Sequence, residues 1–150
     1  MARLVIGSDH GGFEAKEKLK KYLQAHGHDV TDFGCYSTDA VDYPDVAQLV
    51  GESVARGEFE RGVLLDGFGG AVALAANKIT GVRAVCAYDV VSAKLAMEHD
   101  DANVVCLGGK THGEIALNAI CDAFFASKYG GGRHDRRLGK ILAIERKYMR

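Results

Sequence analysis

Short apolar runs alternate with amphipathic segments along the chain. The apolar runs are rich in aliphatic and β-branched residues and predict five strands, at residues 3–8, 29–34, 62–65, 82–87 and 103–109. After each strand, apolar positions recur at helical spacing and predict a helix, at residues 15–26, 44–54, 72–78, 89–99 and 114–127. Five strand–helix units in succession indicate one parallel sheet with helices on both faces. We therefore predict a single α/β domain over residues 1–150.

Glycine and proline residues mark the ends of several predicted helices. Gly27 follows the first helix as a C-terminal cap, and Pro44, the only proline, fits the first turn of the second helix. Residues 130–132 are three consecutive glycines, and a charged helix is predicted after them at 133–148. The sheet is thus followed by a C-terminal helical extension, and the glycines suggest that this extension reaches towards a neighbouring subunit.

Composition and charge are those of an ordinary soluble protein, with 47% hydrophobic and 26% charged residues. The formal net charge of -1 gives no reason to expect nucleic acid or an anionic membrane as a partner. The first apolar run is too short for a signal peptide, and no apolar span reaches the roughly 18 residues of a membrane helix. The four cysteines form no C-x-x-C pair, and Cys86 and Cys106 fall inside apolar runs. We therefore expect buried thiols in a reducing cytoplasm rather than disulfides or a zinc site.

Polar residues follow the predicted strands at the points where ligands usually bind. In open α/β sheets, ligand sites form outside the carboxyl ends of the strands. Each such residue alone is more often a cap or a solvated loop residue, but together they make this edge a candidate site. They are Asp9, His10, Tyr43, Asp66, Tyr88, Asp89 and Lys110.

The sequence Leu-Leu-Asp-Gly-Phe-Gly-Gly-Ala at 64–71 predicts a buried strand that ends at Asp66, then a glycine-rich turn and a helix. Such a junction gathers free backbone N–H groups and a positive dipole, and its glycines allow a ligand to approach the backbone. Two interpretations of Asp66 are open. It is either the cap of the following helix or a carboxylate that takes part in chemistry.

Two basic features lie in the carboxyl-terminal half of the chain. Arg133 and Arg137 share one face of the last helix, at an amino end where the helix dipole disfavours cations. A phosphate bound there would accept hydrogen bonds from both guanidinium groups, whereas the alternative is a solvated basic turn. His99 is flanked by carboxylates that would keep a proton available for transfer near neutral pH. The alternative is a histidine that only stabilises a helix end.

Several common cofactor and catalytic motifs are absent from the sequence. Gly67-x-Gly69 lacks the third small residue of a dinucleotide fingerprint, because Val72 occupies that position. No Walker lysine motif, H-E-x-x-H or G-x-S-x-G sequence occurs. We therefore expect neither a nucleotide cofactor nor a bound metal.

Six short motifs occur in order along essentially the whole chain. They are Gly-Ser-Asp-His-Gly-Gly-Phe at 7–13, Asp-Tyr-Pro-Asp at 42–45, Ala-Ala-Asn-Lys at 75–78, Gly-Val-Arg-Ala at 81–84, His-Asp-Asp-Ala-Asn at 99–103, and Gly-Gly-Arg-His at 131–134 with Arg137. Together they resemble the family of type B ribose-5-phosphate isomerases and galactose-6-phosphate isomerase subunits. The resemblance implies a three-layer α/β/α, Rossmann-like domain with a five-stranded parallel sheet. It also implies metal-free aldose–ketose isomerisation of a sugar phosphate, in homodimers or homotetramers whose active sites form between subunits.

The same resemblance implies which residues would bind the sugar. Asp9 and His10 would contact the substrate, and Tyr43 would line the site. His99, contributed by a neighbouring subunit, would open the sugar ring.

The resemblance also implies how the phosphate and the reaction intermediate would be held. Arg133 and Arg137, together with Lys110, would bind the phosphate. The enediolate intermediate would lie in an anion hole formed by the backbone of five successive residues, Gly67, Phe68, Gly69, Gly70 and Ala71.

The chain departs from the family pattern within the glycine loop and at two later positions. Asp66 stands where the ribose enzymes have a cysteine base, and Phe68 stands where they have a threonine. Asp100, which we also place in the substrate site, replaces an asparagine, and Lys110 replaces an arginine. The loop of Asp66 and Phe68 is similar to that of the A-type subunit of galactose-6-phosphate isomerase, which works with a B-type partner. The Asp9 and Arg133 segments instead resemble the ribose enzymes.

Three hypotheses about function are open at this stage. The first is an aldose–ketose isomerase in which Asp66 moves a proton between C1 and C2 through an enediolate. Ribose 5-phosphate and ribulose 5-phosphate are the best single choice of substrate pair, with galactose 6-phosphate or another sugar phosphate as alternatives. The second is a phosphosugar-binding subunit that needs a cysteine-containing paralogue for turnover. The third is a phosphoacceptor receiver domain, suggested by Asp9, Asp66 and Lys110, although His10 occupies the position of its second acid.

Overall fold

Five parallel strands form the central sheet in the computed structural model, which describes residues 2–149. The strands are β1 (Arg3–Ser8), β2 (Asp29–Asp32), β3 (Arg61–Asp66), β4 (Ala84–Cys86) and β5 (Val104–Gly108). They lie in the order β2-β1-β3-β5-β4, and every neighbouring pair is parallel. The predicted five-stranded parallel α/β fold is confirmed.

Helices cover both faces of the sheet and produce the expected three layers. They are α1 (Phe13–Ala25), α2 (Tyr43–Ala55), α3 (Gly70–Ala76), α4 (Val90–Asp100), α5 (Glu114–Ala126) and α6 (Arg133–Tyr148), with a short 3₁₀ turn at His10–Gly12. α2 and α3 pack on one face of the sheet, and α1, α4 and α5 pack on the other. The helix α6 lies outside these layers and buries none of its residues within the chain.

The central strands β1, β3 and β5 are buried almost throughout. Because helices cover both faces, side chains that point either way enter an apolar core, and the strands therefore read as continuous apolar runs. One core contains Leu19 and Phe124 from the helices, and the other contains Val50 and Val72.

Most predicted boundaries lie within two or three residues of those observed. Gly27 has the positive φ of +90° expected after α1, and Pro44 is the second residue of α2. A capping box between Asp89 and Ser92 sets the start of α4 at Val90. The bounds predicted for α6 are those observed.

Two predicted elements differ from the structure for local reasons. The helix expected at 72–78 begins at Gly70 and ends at Ala76. It ends there because both polar atoms of the Asn77 side chain pair with the backbone of Ala84, which turns the chain towards β4. The strand expected at 82–87 is only three residues long, since β4 is an edge strand with a single neighbour.

Three of the four cysteines are buried free thiols, as predicted, namely Cys35, Cys106 and Cys121. The expectation was wrong for Cys86, which is partly exposed because it lies on the edge strand β4. No helix between residues 2 and 149 combines the length and the apolar character needed to cross a membrane.

The strand order places a topological switch point between β1 and β3. The chain leaves β1 towards β2 on one side, whereas β3, β5 and β4 extend on the other side. Crevices for ligands form at such points, outside the carboxyl ends of the strands. The residues that follow Ser8 and Asp66 therefore flank the natural binding position of this fold.

Candidate active site

The turn after β1 lies against the glycine loop that follows β3. The Asp9 N–H donates to the Leu65 carbonyl oxygen at 3.2 Å, which ties the turn to β3. The Asp9 Oδ1 accepts from the Gly12 N–H at 3.1 Å and caps the 3₁₀ turn. A Cβ added to Gly11 would lie 3.5 Å from the Gly67 nitrogen, so the two turns are in contact.

His10 is exposed and connects this turn to the segment before α2. Its Nδ1 lies 3.2 Å from the Val41 N–H and accepts a hydrogen bond from it. We assign the proton of the neutral ring to Nε2 on this basis, which leaves an N–H donor on the outer side of the imidazole. Val41 lies two residues before Tyr43, the partly buried first residue of α2. The structure therefore places Tyr43 at the same edge of the sheet.

Asp66 ends β3 with its side chain almost fully buried, at 3% exposure. Its Oδ1 accepts from the Phe68 N–H at 3.3 Å and from the Gly69 N–H. Its Oδ2 accepts no hydrogen bond from any residue between 2 and 149. The carboxylate thus caps the turn with one oxygen and keeps the other free of protein partners.

The glycine loop packs closely against the end of β5. Gly69 has a φ of +86°, and a Cβ there would lie 2.7 Å from the Cys86 Sγ and 3.0 Å from the Leu107 carbonyl carbon. The half-exposed Phe68 ring lies against Gly70 and occupies the space that a Gly70 side chain would need. Glycine is therefore required here both for the backbone conformation and for the close approach.

Backbone hydrogen bonds from the end of β5 hold the glycine loop in place. The Gly109 N–H donates to the Asp66 carbonyl at 2.8 Å, and the Lys110 N–H donates to the Gly67 carbonyl at 3.0 Å. The exposed Lys110 side chain packs beside Gly67, because a Cβ added to Gly67 would lie 3.5 Å from the Lys110 Cδ. The structure brings one group of predicted site residues together at this edge: Asp9, His10, Tyr43, Asp66, Gly67, Phe68, Gly69, Gly70, Ala71 and Lys110.

The remaining predicted residues lie at the opposite edge of the sheet. α4 starts beside the carboxyl end of β4 and ends beside the amino end of β3, where Asp101 pairs with Arg61 at 3.3 Å. His99 and Asp100 form the last turn of α4, and Gly130 donates its N–H to the Glu98 carbonyl at 2.8 Å. This contact brings the start of α6 beside them. A single chain therefore holds two separate groups, and the second consists of His99, Asp100, Arg133 and Arg137.

The second group is a cationic cluster built around two stacked imidazoles. The rings of His99 and His134 lie 4.3 Å apart at an angle of 20°. Partial burial lowers the pKa of His134, and the nearby His99, Arg133 and Arg137 lower it further, whereas Asp100 opposes them. Arg133 and Arg137 are exposed and form no ion pair within residues 2–149. Such a cluster suits a doubly charged phosphate.

His134 was not among the predicted site residues, although it stands beside Arg133 in the sequence. Its stacking on His99 depends on the fold of the glycine segment 130–132, where Gly131 and Gly132 have positive φ values. The only sequence signal is its place in the Gly-Gly-Arg-His motif. Within the described chain, the side chains of His, Cys, Asp and Glu form no group that could hold a metal ion.

Comparisons with known proteins point to one family. The family model described as Ribose/Galactose Isomerase matches residues 4–141. The ribose-5-phosphate isomerase B of Escherichia coli (strain K12) is 38% identical over 147 residues, which cover 98% of this chain and 99% of that protein. The first and second hypotheses on function both describe members of this family, whereas the receiver domain of the third does not.

Solved structures agree with the sequence comparisons. The ribose-5-phosphate isomerase B of Clostridium thermocellum is similar with a TM-score of 0.96 and 40% identity, covering 97% of this chain and 99% of that one. The Mycoplasma genitalium ribose-5-phosphate isomerase B, solved with bound ribulose-5-phosphate, has a TM-score of 0.92 and 37% identity, and the match covers 97% of each chain.

Proposed function

The chain belongs to the ribose/galactose isomerase family, and we propose that it interconverts ribose 5-phosphate and ribulose 5-phosphate. The family match over residues 4–141 supports an aldose–ketose isomerase. The observation that supports a mechanism is the Oδ2 of Asp66, which has no protein partner among residues 2–149 and lies at the topological switch point of the sheet. Galactose 6-phosphate and other sugar phosphates are the alternative substrates.

Proton transfer between C1 and C2 needs a base that can reach both carbons and a fixed orientation of that base. The bonds from the Phe68 and Gly69 N–H groups to Oδ1 prevent the Asp66 carboxylate from rotating. In the proposed mechanism, Oδ2 removes the proton from C2 of the open-chain aldose and returns it to C1. The C1 oxygen gains a proton and the C2 hydroxyl loses one, so that the carbonyl group moves from C1 to C2. The ketose then leaves with no change in the enzyme.

The enediolate formed between these two steps carries negative charge on oxygen, which backbone N–H groups stabilise when they are already oriented. We assign this role to the backbone of residues 67–71, and within it to the N–H groups of Gly67, Gly70 and Ala71, because those of Phe68 and Gly69 already donate to Asp66. The loop is suited to it because Asp66 and the end of β5 hold its conformation before substrate arrives. Asp9, the Nε2–H of His10 and Tyr43 would bind the sugar hydroxyls, and Lys110 would lie near the phosphate.

A second copy of the chain would complete the site. His99, Asp100, Arg133 and Arg137 lie at the far edge of their own sheet, so one chain cannot bring them to its own Asp66. In a symmetric dimer each copy can offer its cationic cluster to the glycine loop of the other. The partner's histidine would then open the sugar ring while its arginines hold the phosphate. A homodimer or homotetramer is therefore part of the proposal.

A phosphosugar-binding subunit is the second candidate function, and the geometry of Asp66 is the observation that favours it. One oxygen of this carboxylate is committed to the turn, and an aspartate replaces the cysteine base of the ribose enzymes. Under this alternative the chain binds sugar phosphates but reacts only when a paralogue with that cysteine is present.

Incubation of the purified chain with ribose 5-phosphate, galactose 6-phosphate and allose 6-phosphate in heavy water tests the proposal. We expect solvent deuterium to enter C1 or C2 of ribose 5-phosphate, and the rate to fall by about 10²–10⁴-fold in Asp66→Asn. Asp29→Asn, an exposed carboxylate at the start of β2, is the matched control and should retain the wild-type rate.

Undiminished exchange in Asp66→Asn would remove this residue as the base. A wild-type chain that is inert towards all three sugars, and becomes active only with a cysteine-containing paralogue, would establish the second candidate instead.

A further inference from the structure

One peptide group in the glycine loop is held from both sides. The N–H between Phe68 and Gly69 donates to the Asp66 carboxylate. On the other side of the same peptide, the Phe68 carbonyl oxygen accepts from the Tyr88 hydroxyl at 2.8 Å and from the Cys86 Sγ at 3.5 Å. The orientation of this peptide therefore depends on the loop itself and on residues at the end of β4.

This peptide needs an external restraint because of the residues around it. A peptide that precedes glycine can rotate by about 180° between two turn conformations, since glycine adopts either sign of φ at little cost. The rotated peptide would turn the Phe68 carbonyl towards the Asp66 carboxylate and its N–H away from it. Asp66 would then lose the bond that fixes its orientation. The hydroxyl of Tyr88 opposes this rotation.

Tyr88 is itself anchored although its ring is half exposed. Its N–H donates to the Ser92 Oγ at 3.0 Å, within the capping box at the start of α4. Its carbonyl lies 2.7 Å from the His112 Nε2, and the two rings pack 5.5 Å apart. The side chain of Cys86 is the main cause that raises the pKa of Tyr88, so its hydroxyl stays protonated and able to donate.

We propose that Tyr88 is a positioning residue for proton transfer, which acts by fixing the Phe68–Gly69 peptide and through it the Asp66 carboxylate. The inference rests on the proposed function and extends it to a residue that the proposed function gives no contact with substrate. Tyr88 touches neither the reacting carbons nor the phosphate in this proposal. Its loss should therefore reduce the chemical step more than it reduces substrate binding.

The variant Tyr88→Phe removes only the hydroxyl and tests this directly. We expect kcat for the isomerisation to fall about five- to tenfold, which is the effect of losing one hydrogen bond, with KM within about twofold of wild type. Hydrogen exchange of the Gly69 amide, followed by NMR, should accelerate by about the same factor because its bond to Asp66 opens more often. Cys86→Ala should have a smaller effect, since its contact is longer.

Tyr22→Phe is the matched control, because that hydroxyl also donates a hydrogen bond, to the Asp122 carboxylate on the α1–α5 face of the molecule. It should change neither kcat nor the exchange of Gly69. A kcat for Tyr88→Phe within twofold of wild type, or an unchanged exchange rate of Gly69, overturns the inference. If wild type isomerises no sugar phosphate, the proposed function fails, and the exchange rate of Gly69 alone decides whether Tyr88 holds the peptide.

Discussion

Among single residues, Gly69 is under two independent constraints in the glycine loop. Its φ of +86° belongs to the left-handed region, which side chains with a Cβ rarely adopt. Its backbone also lies against the end of β5, where a Cβ would meet the Leu107 carbonyl carbon at 3.0 Å. Strain and crowding therefore add at this position.

The substitution Gly69→Ala should destabilise the protein by about 3 kcal/mol and reduce kcat by about tenfold or more. Gly57→Ala is a control for strain alone, because Gly57 has a φ of +78° with no atom within 4 Å of its added Cβ. That variant should lose about 1–2 kcal/mol and keep its kcat. Urea unfolding measures the stability of each variant, and steady-state kinetics measure its kcat. Equal losses of stability in the two variants would show that crowding at Gly69 has no effect.

At this scale the sequence predicts which residues gather at the carboxyl edge of the sheet but not what each of their atoms does. Asp66 and Lys110 could be placed because they follow strands, and strand ends share an edge. One oxygen of Asp66 caps the turn and the other is free, and this depends on the exact conformation of the turn. The sequence does not determine that conformation, because several glycines allow more than one. The bond from Tyr88 was beyond prediction, because it depends on how β4 and the start of α4 sit beside the loop.

Between elements, the most buried charge among residues 2–149 joins α1 to β2. Lys16 has no exposed side-chain surface, and its Nζ donates to both oxygens of Asp32 at 2.8 and 2.6 Å. Lys20 and the Gly34 N–H donate to the same carboxylate. Asp32 therefore also fixes the start of the segment that runs from β2 to Val41. The N–H of Val41 in turn donates to His10. The helical spacing of apolar positions did not predict this pair, because Lys16 is a charged residue at a buried position.

Asp32→Asn should destabilise the protein by about 3 kcal/mol at neutral pH, because it leaves the Lys16 ammonium buried without its main counter-charge. Urea unfolding measures the loss. Asp29→Asn, three residues earlier on the same strand and exposed, should change stability by less than about 0.5 kcal/mol. A similar small change in stability in both variants would contradict the claim that the buried pair stabilises the protein.

The same pair should make stability depend on pH in the acid range. Burial alone would raise the pKa of Asp32, but hydrogen bonds from Lys16 and Lys20 lower it overall. A carboxyl group with a lowered folded pKa stabilises the protein above its unfolded pKa of about 3.9, and the stabilisation is lost as the pH falls through the folded value. The difference in stability between wild type and Asp32→Asn should therefore shrink below about pH 4.

For the whole molecule, the layered fold could be predicted because alternating strands and helices allow few other arrangements. The place of α6 could not, since it buries no residue in its own chain and leaves Ile141 and Ile144 exposed. Its first turn joins the cationic cluster at the edge opposite Asp66. No pattern of local spacing shows that distance. The glycines at 130–132 suggested a reach towards a neighbouring subunit, and the resemblance to the isomerase family suggested that two chains share a site.

In the proposed dimer, Asp66 of one chain and His99 of another form one isomerase site. This arrangement is tested most directly by the ribose 5-phosphate isomerase activity of Asp66→Asn and His99→Asn chains, assembled separately and as an equal mixture. Each variant alone should be nearly inactive. Half of randomly mixed dimers contain one intact site of two, so the mixture should recover roughly a quarter of the wild-type activity. A mixture no more active than the separate variants, or a variant that is fully active alone, would contradict the account.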